Sequence, residues 1–237
     1  MLVGKMLSLK SEEPGQDIDA TSKDFVHLTS KANSTVYLPL QVVIIKHPKE
    51  LEGKSTAVHA AVLAPNDVTI YTYPCIPDFK EKDKVLLVFP SPTALTLDDF
   101  AKQSTHESGD ESNGPLAKKA KRDVLPVPKF NRVVFIDSTW NQTSSIYRDD
   151  KLQGLQCVIL KSAKTTFWRK QEKKPDNFLA TIEAVYRFMI EYHLLFIDPI
   201  YDKRYDNLLY FYSFLHNIVN INVREKRLKE QKKLEKS

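Results

Sequence analysis

Short apolar runs, most of them rich in β-branched residues, constrain the fold of this chain more than any other feature. Residues 40–45, 85–89 and 133–136 consist mostly of Val, Ile, Leu and Phe. Continuous apolar runs of this length are typical of strands buried on both faces, as in parallel sheets covered by helices. Residues 68–73 and 155–160 predict two more strands, although the second contains Gln and Cys. The chain is therefore expected to contain a sheet with two covered faces.

Segments with helical periodicity predict the helices that would cover such a sheet. In residues 180–196 the apolar side chains recur at spacings of three and four, and Thr181 is placed to cap the helix start. Residues 208–219 predict a second apolar helix, and residues 58–63 a short one. Strands that alternate with helices predict an α/β fold with a largely parallel, layered sheet and flanking helices.

Composition narrows the class of protein further. Hydrophobic residues make up 42% of the 237 residues, which is enough to form a core and excludes global disorder. The two cysteines are too few for a disulfide scaffold or a four-cysteine zinc cluster. No uncharged stretch predicts a membrane-spanning helix, and the beginning of the chain, interrupted by Lys5, is unlike a secretory signal. We therefore expect an intracellular protein without a membrane partner.

The chain is predicted to form one domain with two tails. Residues 1–36 are polar and aperiodic and predict a flexible leader, residues 37–222 predict the domain, and residues 223–237 a basic charged tail. Within the domain, residues 101–125 lack aromatic side chains and predict a disordered surface insertion. The basic run at residues 115–122 is typical of nuclear import signals, so the predicted localisation is the nucleus.

The net charge of +5 is unevenly distributed along the sequence. Basic islands lie at residues 118–122, 161–174 and 224–237, and the remaining chain is acidic on balance. The second island places Trp168 and Arg169 among lysines. That pattern suits single-stranded nucleic acid, because positive charges bind phosphates and aromatic faces stack on bases. A solvated basic loop with anchoring aromatic residues is the alternative interpretation.

A polar cluster follows the strand predicted at residues 133–136. It begins with Asp137 and continues through Ser138 and Thr139 to Trp140. Ligands of parallel α/β folds bind at the carboxyl ends of the strands, so this cluster is a candidate site. The alternative is a strand that ends in an Asx-type turn, with the indole returning to the core.

Several blocks of this sequence, in this order, resemble the DTW-domain family. Residues 137–140 match its D-x-T-W signature, and residues 167–169 together with residues 179–184 resemble a second block. Upstream, residues 47–60 and residues 85–90 resemble the family's first block and the strand that follows it. Because four weak matches in the right order are improbable by chance, the chain is identified as a member of this family.

The resemblance implies a fold, a donor and a substrate. The fold would be Rossmann-like and related to the SPOUT methyltransferases, whose cofactor loop is knotted. The reaction would move the 3-amino-3-carboxypropyl group of S-adenosyl-L-methionine to N3 of a uridine in the D-loop of tRNA, releasing methylthioadenosine. Two alternatives stay open, namely an S-adenosylmethionine-dependent RNA methyltransferase and a non-catalytic RNA-binding nuclear protein.

The resemblance also implies roles for individual residues. Asp137 would be the general base at uridine N3 or the group that holds the donor's ammonium. Thr139 would hydrogen-bond the donor or the uracil, and Trp140 would stack on a base or face the sulfonium. Donor contacts are expected from Ser138, Glu183, Thr181 and Pro90, although Glu183 could also be a simple helix cap. Contacts to tRNA are expected from Trp168, Arg169, Lys170 and Lys173.

Metal binding is not expected in this chain. His47, His59 and Cys75 match no standard spacing of metal ligands, so structural histidines are the simpler interpretation. Cys75 and Cys157 are expected to be buried free thiols. Members of the family carry cysteine pairs near the N-terminus, spaced like a small zinc knuckle, and residues 1–36 contain no cysteine.

Overall fold

A computed structural model gives the arrangement of most of the predicted domain. It describes residues 35–51, 53, 55–106, 125–161, 165 and 179–220. The predicted leader up to residue 34, the import run at residues 115–122 and the basic tail lie outside the described residues. None of the described helices is long and apolar enough to cross a membrane.

Within the described residues, six parallel strands form one sheet. They are β1 (Gln41–Lys46), β2 (Val68–Thr72), β3 (Val85–Val88), β4 (Leu95–Thr96), β5 (Arg132–Asp137) and β6 (Gln156–Ile159). Their order across the sheet is β2-β1-β5-β3-β6-β4. The predicted α/β class and five predicted strands are confirmed, with ends that differ by one residue at most. The two-residue strand β4 was missed because two residues show no periodicity.

Helices cover both faces of the sheet. They are α1 (Ala57–Leu63), α2 (Leu97–His106), α3 (Trp140–Tyr147), α4 (Thr181–Phe196) and α5 (residues 210–220). One face packs against α1, α2, α4 and α5, and the other packs against α3 and the segments around Ile76 and Leu152. Along β1, Val42 and Ile44 face the first layer, whereas Val43 and Ile45 face the second. Because both faces are covered, the strand sequence is apolar at consecutive positions, as predicted.

The start of the predicted insertion is helical. α2 continues through residues 101–106, which the sequence interpretation assigned to disorder. Leu97 is fully buried and Ala101, one turn later, is 8% exposed, so both are anchored in the core. The side chain of Asp99 accepts a hydrogen bond from the backbone N–H of Thr96 at 2.9 Å, which caps the helix start. The polar composition after residue 101 concealed this helix.

Two details around the later helices also differ from the predictions. The N-cap of α4 is Ala180, and Thr181 is the first helical residue rather than the cap. The predicted helix at residues 208–219 is preceded by a 3-10 turn (Asp206–Leu209) and spans residues 210–220. The hydroxyl of Thr181 is engaged elsewhere, in a contact that defines the candidate site.

Candidate functional site

The candidate site lies where the carboxyl ends of the central strands meet the starts of two helices. Asp137 is the last residue of β5, and its backbone carbonyl accepts a hydrogen bond from the N–H of His47 at 2.9 Å. His47 directly follows β1, so the two strand ends are locked side by side. α3 begins three residues after Asp137, and α4 begins at Thr181, whose side chain contacts that carboxylate.

The Asp137 carboxylate is enclosed by hydroxyl groups. Its side chain is fully buried, with 0% exposure. Ser55 donates its hydroxyl to Oδ2 at 2.5 Å, and Thr181 donates to Oδ1 at 2.6 Å. Hydrogen bonds to an ionised acceptor are short and roughly twice as strong as those between neutral groups. Each oxygen of this buried acid therefore has a partner that compensates for lost hydration.

Ser55 and Thr56 tie the same site to two helices. The Ser55 hydroxyl accepts the backbone N–H of Ala57, the first residue of α1, at 3.2 Å. The Thr56 hydroxyl accepts the backbone N–H of Ile182, in the first turn of α4, at 3.1 Å. The first N–H groups of a helix lack partners within the helix, so these bonds satisfy two of them. Two adjacent residues thus connect the starts of α1 and α4 to the end of β5.

The D-x-T-W segment forms the entry to α3, not an Asx-type turn. Ser138 is fully buried, and its hydroxyl lies 2.8 Å from that of Thr143. The backbone N–H of Thr139 donates to Oε1 of Gln142 at 3.1 Å. Thr139 is exposed, and Trp140 is the first residue of α3. The sequence did not reveal α3 because its residues are mostly polar, with Ile146 in the apolar core and Tyr147 packed against it.

Glu183 caps α4, as one of its two interpretations predicted. Oε2 of Glu183 accepts the backbone N–H of Ala180 at 2.7 Å and the hydroxyl of Thr165 at 2.6 Å. A carboxylate at this position also interacts favourably with the helix dipole. Its second contact fixes Thr165, which belongs to the basic island. Donor binding by Glu183 stays a prediction.

Pro90 lies across the sheet, just beyond β3. Beside it, the ring of Phe89 stacks on that of Tyr147 at the end of α3, with centroids 4.0 Å apart and planes 15° apart. Burial, followed by the nearby Cys157, raises the pKa of Tyr147. The backbone N–H of Ser91 returns to the carbonyl of Phe89 at 2.9 Å, so the chain turns tightly around Pro90. This packing fixes α3 against the end of β3.

The predicted site residues therefore fall into three groups. The structure brings Asp137 and Thr181 into direct contact, and it places Ser138, Thr139 and Trp140 at the adjoining start of α3. Glu183 and Pro90 border the same sheet edge. The predicted tRNA-binding residues Trp168, Arg169, Lys170 and Lys173 lie outside the described residues.

Sequence reasoning missed Ser55 and Thr56 as members of the site. They appeared only within the block at residues 47–60, with no individual role. A recognisable signal was present, because Ser and Thr directly before an apolar helical run are typical of helix caps. The contacts to Asp137 and to α4 span 82 and 126 residues of sequence, so no local pattern could predict them.

His47, His59 and Cys75 were considered as metal ligands in the sequence analysis. Within the described ranges, no three His, Cys, Asp or Glu side chains form a group suited to a metal ion. Nδ1 of His47 accepts the backbone N–H of Lys49 at 3.1 Å, and burial is the main cause that lowers the pKa of His47. Both cysteines are free, but Cys75 is exposed and only Cys157 is buried. The prediction of two buried thiols is therefore wrong for Cys75, which lies in the turn after β2.

A polar cleft of about 200 Å³ lies at the opposite edge of the sheet. It is lined by residues at the amino ends of β3 and β5, including Lys84 and Arg132, together with Asp78 and Glu81. Because ligands of parallel α/β folds bind at the carboxyl ends of the strands, this cleft is not the candidate site.

Comparison with known proteins gives a consistent family. The chain matches the family described as DTW domain over residues 25–220. It is 45% identical over 202 residues to a Xenopus tropicalis protein, 43% over 198 residues to a human one and 47% over 203 residues to a mouse one. Each of these relatives is named tRNA-uridine aminocarboxypropyltransferase 1.

These alignments cover most of this chain but less of the relatives. They span 78%, 76% and 78% of this chain, and 69%, 65% and 66% of the Xenopus, human and mouse proteins. The chain thus corresponds to about two thirds of the length of these relatives. No solved structure matched the chain.

Proposed function

The chain belongs to the DTW domain family, whose relatives compared above are named as enzymes, and we propose that it is a tRNA-modifying transferase. The donor is S-adenosyl-L-methionine, and the acceptor is N3 of a uridine in the tRNA D-loop. A bond forms between N3 and the methylene carbon attached to sulfur while the carbon–sulfur bond breaks. The electron pair of that bond stays on sulfur, so neutral methylthioadenosine leaves. The observation that carries this proposal is the 43% to 47% identity to relatives named tRNA-uridine aminocarboxypropyltransferase 1.

We place the reaction at the edge where α3 and α4 begin. The dipole at a helix start favours anions, which suits the carboxylate of the donor. α3 starts at Trp140, the last residue of the D-x-T-W segment, and Thr139 is exposed directly before it. In this proposal Thr139 contacts the donor or the uracil, and Trp140 stacks on a base or faces the sulfonium. Catalysis then rests mainly on holding N3 and the methylene carbon in line.

Binding of tRNA is proposed for the basic island after β6. Glu183 supports this placement, because it holds Thr165 of that island beside the start of α4. Trp168 and Arg169 would contact bases and phosphates, together with Lys170 and Lys173. Ser138 and Pro90, which are proposed to contact the donor, lie at the carboxyl edge of the sheet as well.

Two finer proposals accompany this function. The parallel sheet supports a Rossmann-like fold related to the SPOUT methyltransferases, whose knotted loop stays a prediction. Localisation in the nucleus rests on the basic run at residues 115–122. Replacing the lysines and arginine of that run with alanine in a fluorescent fusion should move the protein out of the nucleus, and unchanged nuclear fluorescence would contradict the proposal.

The activity is tested with purified protein, S-adenosylmethionine and an unmodified tRNA transcript. The proposal predicts a uridine heavier by one aminocarboxypropyl group, found by mass spectrometry of the nucleosides. A transcript with cytidine in place of the D-loop uridines is the matched control, because it lacks the proposed acceptor base. A methylated nucleoside would instead support the methyltransferase alternative. Tight tRNA binding without any product would support the non-catalytic one.

A further inference from the structure

Asp137 begins the D-x-T-W segment and is the first candidate for a general base, yet its surroundings favour another role. We propose that Asp137 is a positioning residue, which holds the end of β5 and the starts of α1 and α4 in one arrangement through the hydroxyls of Ser55 and Thr181. It does not touch the uridine. This inference rests on the transferase function proposed above and concerns how that site is built.

Burial is the first reason. A general base must reach the proton it removes at about 2.6–3.2 Å, directly or through one water. The side chain of Asp137 has 0% exposure, and a separate hydroxyl donates to each of its oxygens. Its carboxylate lies between Ser55, just before α1, and Thr181 of α4. Ser138, one residue later, contacts Thr143 of α3, which packs on the face of the sheet opposite α4.

Connectivity is the second reason. Ser55 is 82 residues from Asp137 in sequence, and Thr181 is 44 residues away, so the carboxylate links three distant segments. Thr56 adds a parallel link from α1 to the backbone of Ile182 in α4. Ser55, Thr56, Asp137 and Thr181 therefore form one junction, called the hydroxyl junction below. The substrates are placed at the start of α3, which begins three residues after Asp137 of this junction.

The chemistry does not require this acid as a base. The proton on uridine N3 passes to solvent water, and the resulting anion attacks the methylene carbon of the sulfonium. The positive charge of the donor disappears as methylthioadenosine leaves, so the step is charge-neutralising. The hydroxyl junction contributes by keeping the two helix starts fixed relative to β5, which sets the distance between donor and acceptor.

The Asp137→Asn variant separates the two roles. The asparagine Oδ1 can accept from Thr181, and its Nδ2 can donate to the Ser55 hydroxyl, which has a second lone pair beside the one used by Ala57. The junction is thus preserved while the carboxylate is lost. We expect kcat to fall by less than about tenfold, with an unchanged pH–rate profile, because a true general base contributes about 100-fold or more.

A pair of variants at Thr181 completes the test. Thr181→Ser keeps the hydroxyl and should retain kcat, whereas Thr181→Val removes it and should lower kcat with little change in the KM for tRNA. Thr181→Val should also speed hydrogen exchange in the first turn of α4. Thr69→Val, at an exposed position on β2, is the matched control and should change neither kcat nor hydrogen exchange in α4.

Two outcomes would overturn the inference. The first is a loss of about 100-fold or more in Asp137→Asn with normal exchange in α4, together with loss of the acidic limb of the pH–rate profile. The second is Asp137→Ala with exchange in α4 identical to wild type. The exchange measurements need no activity, so they still test the junction if the wild-type chain transfers nothing. A chain without transfer activity would refute the proposed function, whereas the exchange measurements alone would decide on the hydroxyl junction.

Discussion

A buried acid away from the candidate site gives the sharpest stability prediction. Glu191 of α4 is 8% exposed, and its Oε1 accepts the backbone N–H of Lys161 at 2.9 Å, whereas Oε2 has no hydrogen-bond partner among the described residues. Burial raises the pKa of Glu191 to about 7, against an ordinary value of 4.5. Smaller effects on this pKa come from Lys161, just after β6, and Arg187 of α4, which lower it, and from Asp98 of α2, which raises it. Replacing Glu191 with glutamine should therefore stabilise the chain at high pH.

The magnitude follows from the difference between the two pKa values. Between pH 4.5 and pH 7 the folded chain keeps a proton on Glu191 that the unfolded chain has released. The free energy of unfolding therefore falls as pH rises through this window, by about 1.4 kcal/mol per pKa unit, and is constant above it. The full difference is about 3 kcal/mol, most of which lies between pH 5 and pH 8.

Urea unfolding of wild type and Glu191→Gln at pH 5 and pH 8 measures this effect. Relative to the variant, the wild-type chain should lose about 2–3 kcal/mol between the two pH values. Glu81→Gln is the matched control, because its carboxylate is exposed and its ion pair with Lys84 lies on the surface. Its stability should follow wild type at both pH values. A wild-type chain whose stability changes with pH exactly as that of Glu191→Gln would refute the reasoning.

Two further predictions concern the thiols and the helix cap. Cys75 is exposed and Cys157 is buried, so iodoacetamide should label Cys75 in the folded chain and Cys157 only after unfolding, as mass spectrometry would show. Equal labelling rates would contradict this placement. Glu183→Ala should cost about 1–2 kcal/mol in thermal unfolding, because the Ala180 N–H loses its acceptor, whereas Glu183→Gln should cost less than about 1 kcal/mol. Equal losses in both variants would contradict the capping role.

The sequence predicted the sheet because the strands are buried on both faces. Residues 40–45 and 133–136 could be recognised as β1 and β5, since every position of a doubly covered strand is selected for apolar character. α3 escaped prediction because Ile146 and Tyr147, its residues packed in or against the core, are adjacent and show no helical period, and its other described contacts are polar. Periodicity alone cannot detect such a helix.

The site was predictable only in part, for a similar physical reason. Asp137 and Thr139 could be placed at a strand end because that position follows directly from local sequence. The partners of Asp137 could not, since Ser55 and Thr181 reach it through the topology of the sheet. The burial of Asp137, which decides between a base and a positioning residue, also depends on how the helices pack on the sheet.

The most direct test of the central claim follows two labels from the donor. S-adenosylmethionine is supplied with one isotope in its methyl group and another in its carboxyl carbon, together with unmodified tRNA. Aminocarboxypropyl transfer predicts the carboxyl label in a D-loop uridine and the methyl label in released methylthioadenosine. Methyl label in the tRNA, with the carboxyl label in adenosylhomocysteine, would contradict the account.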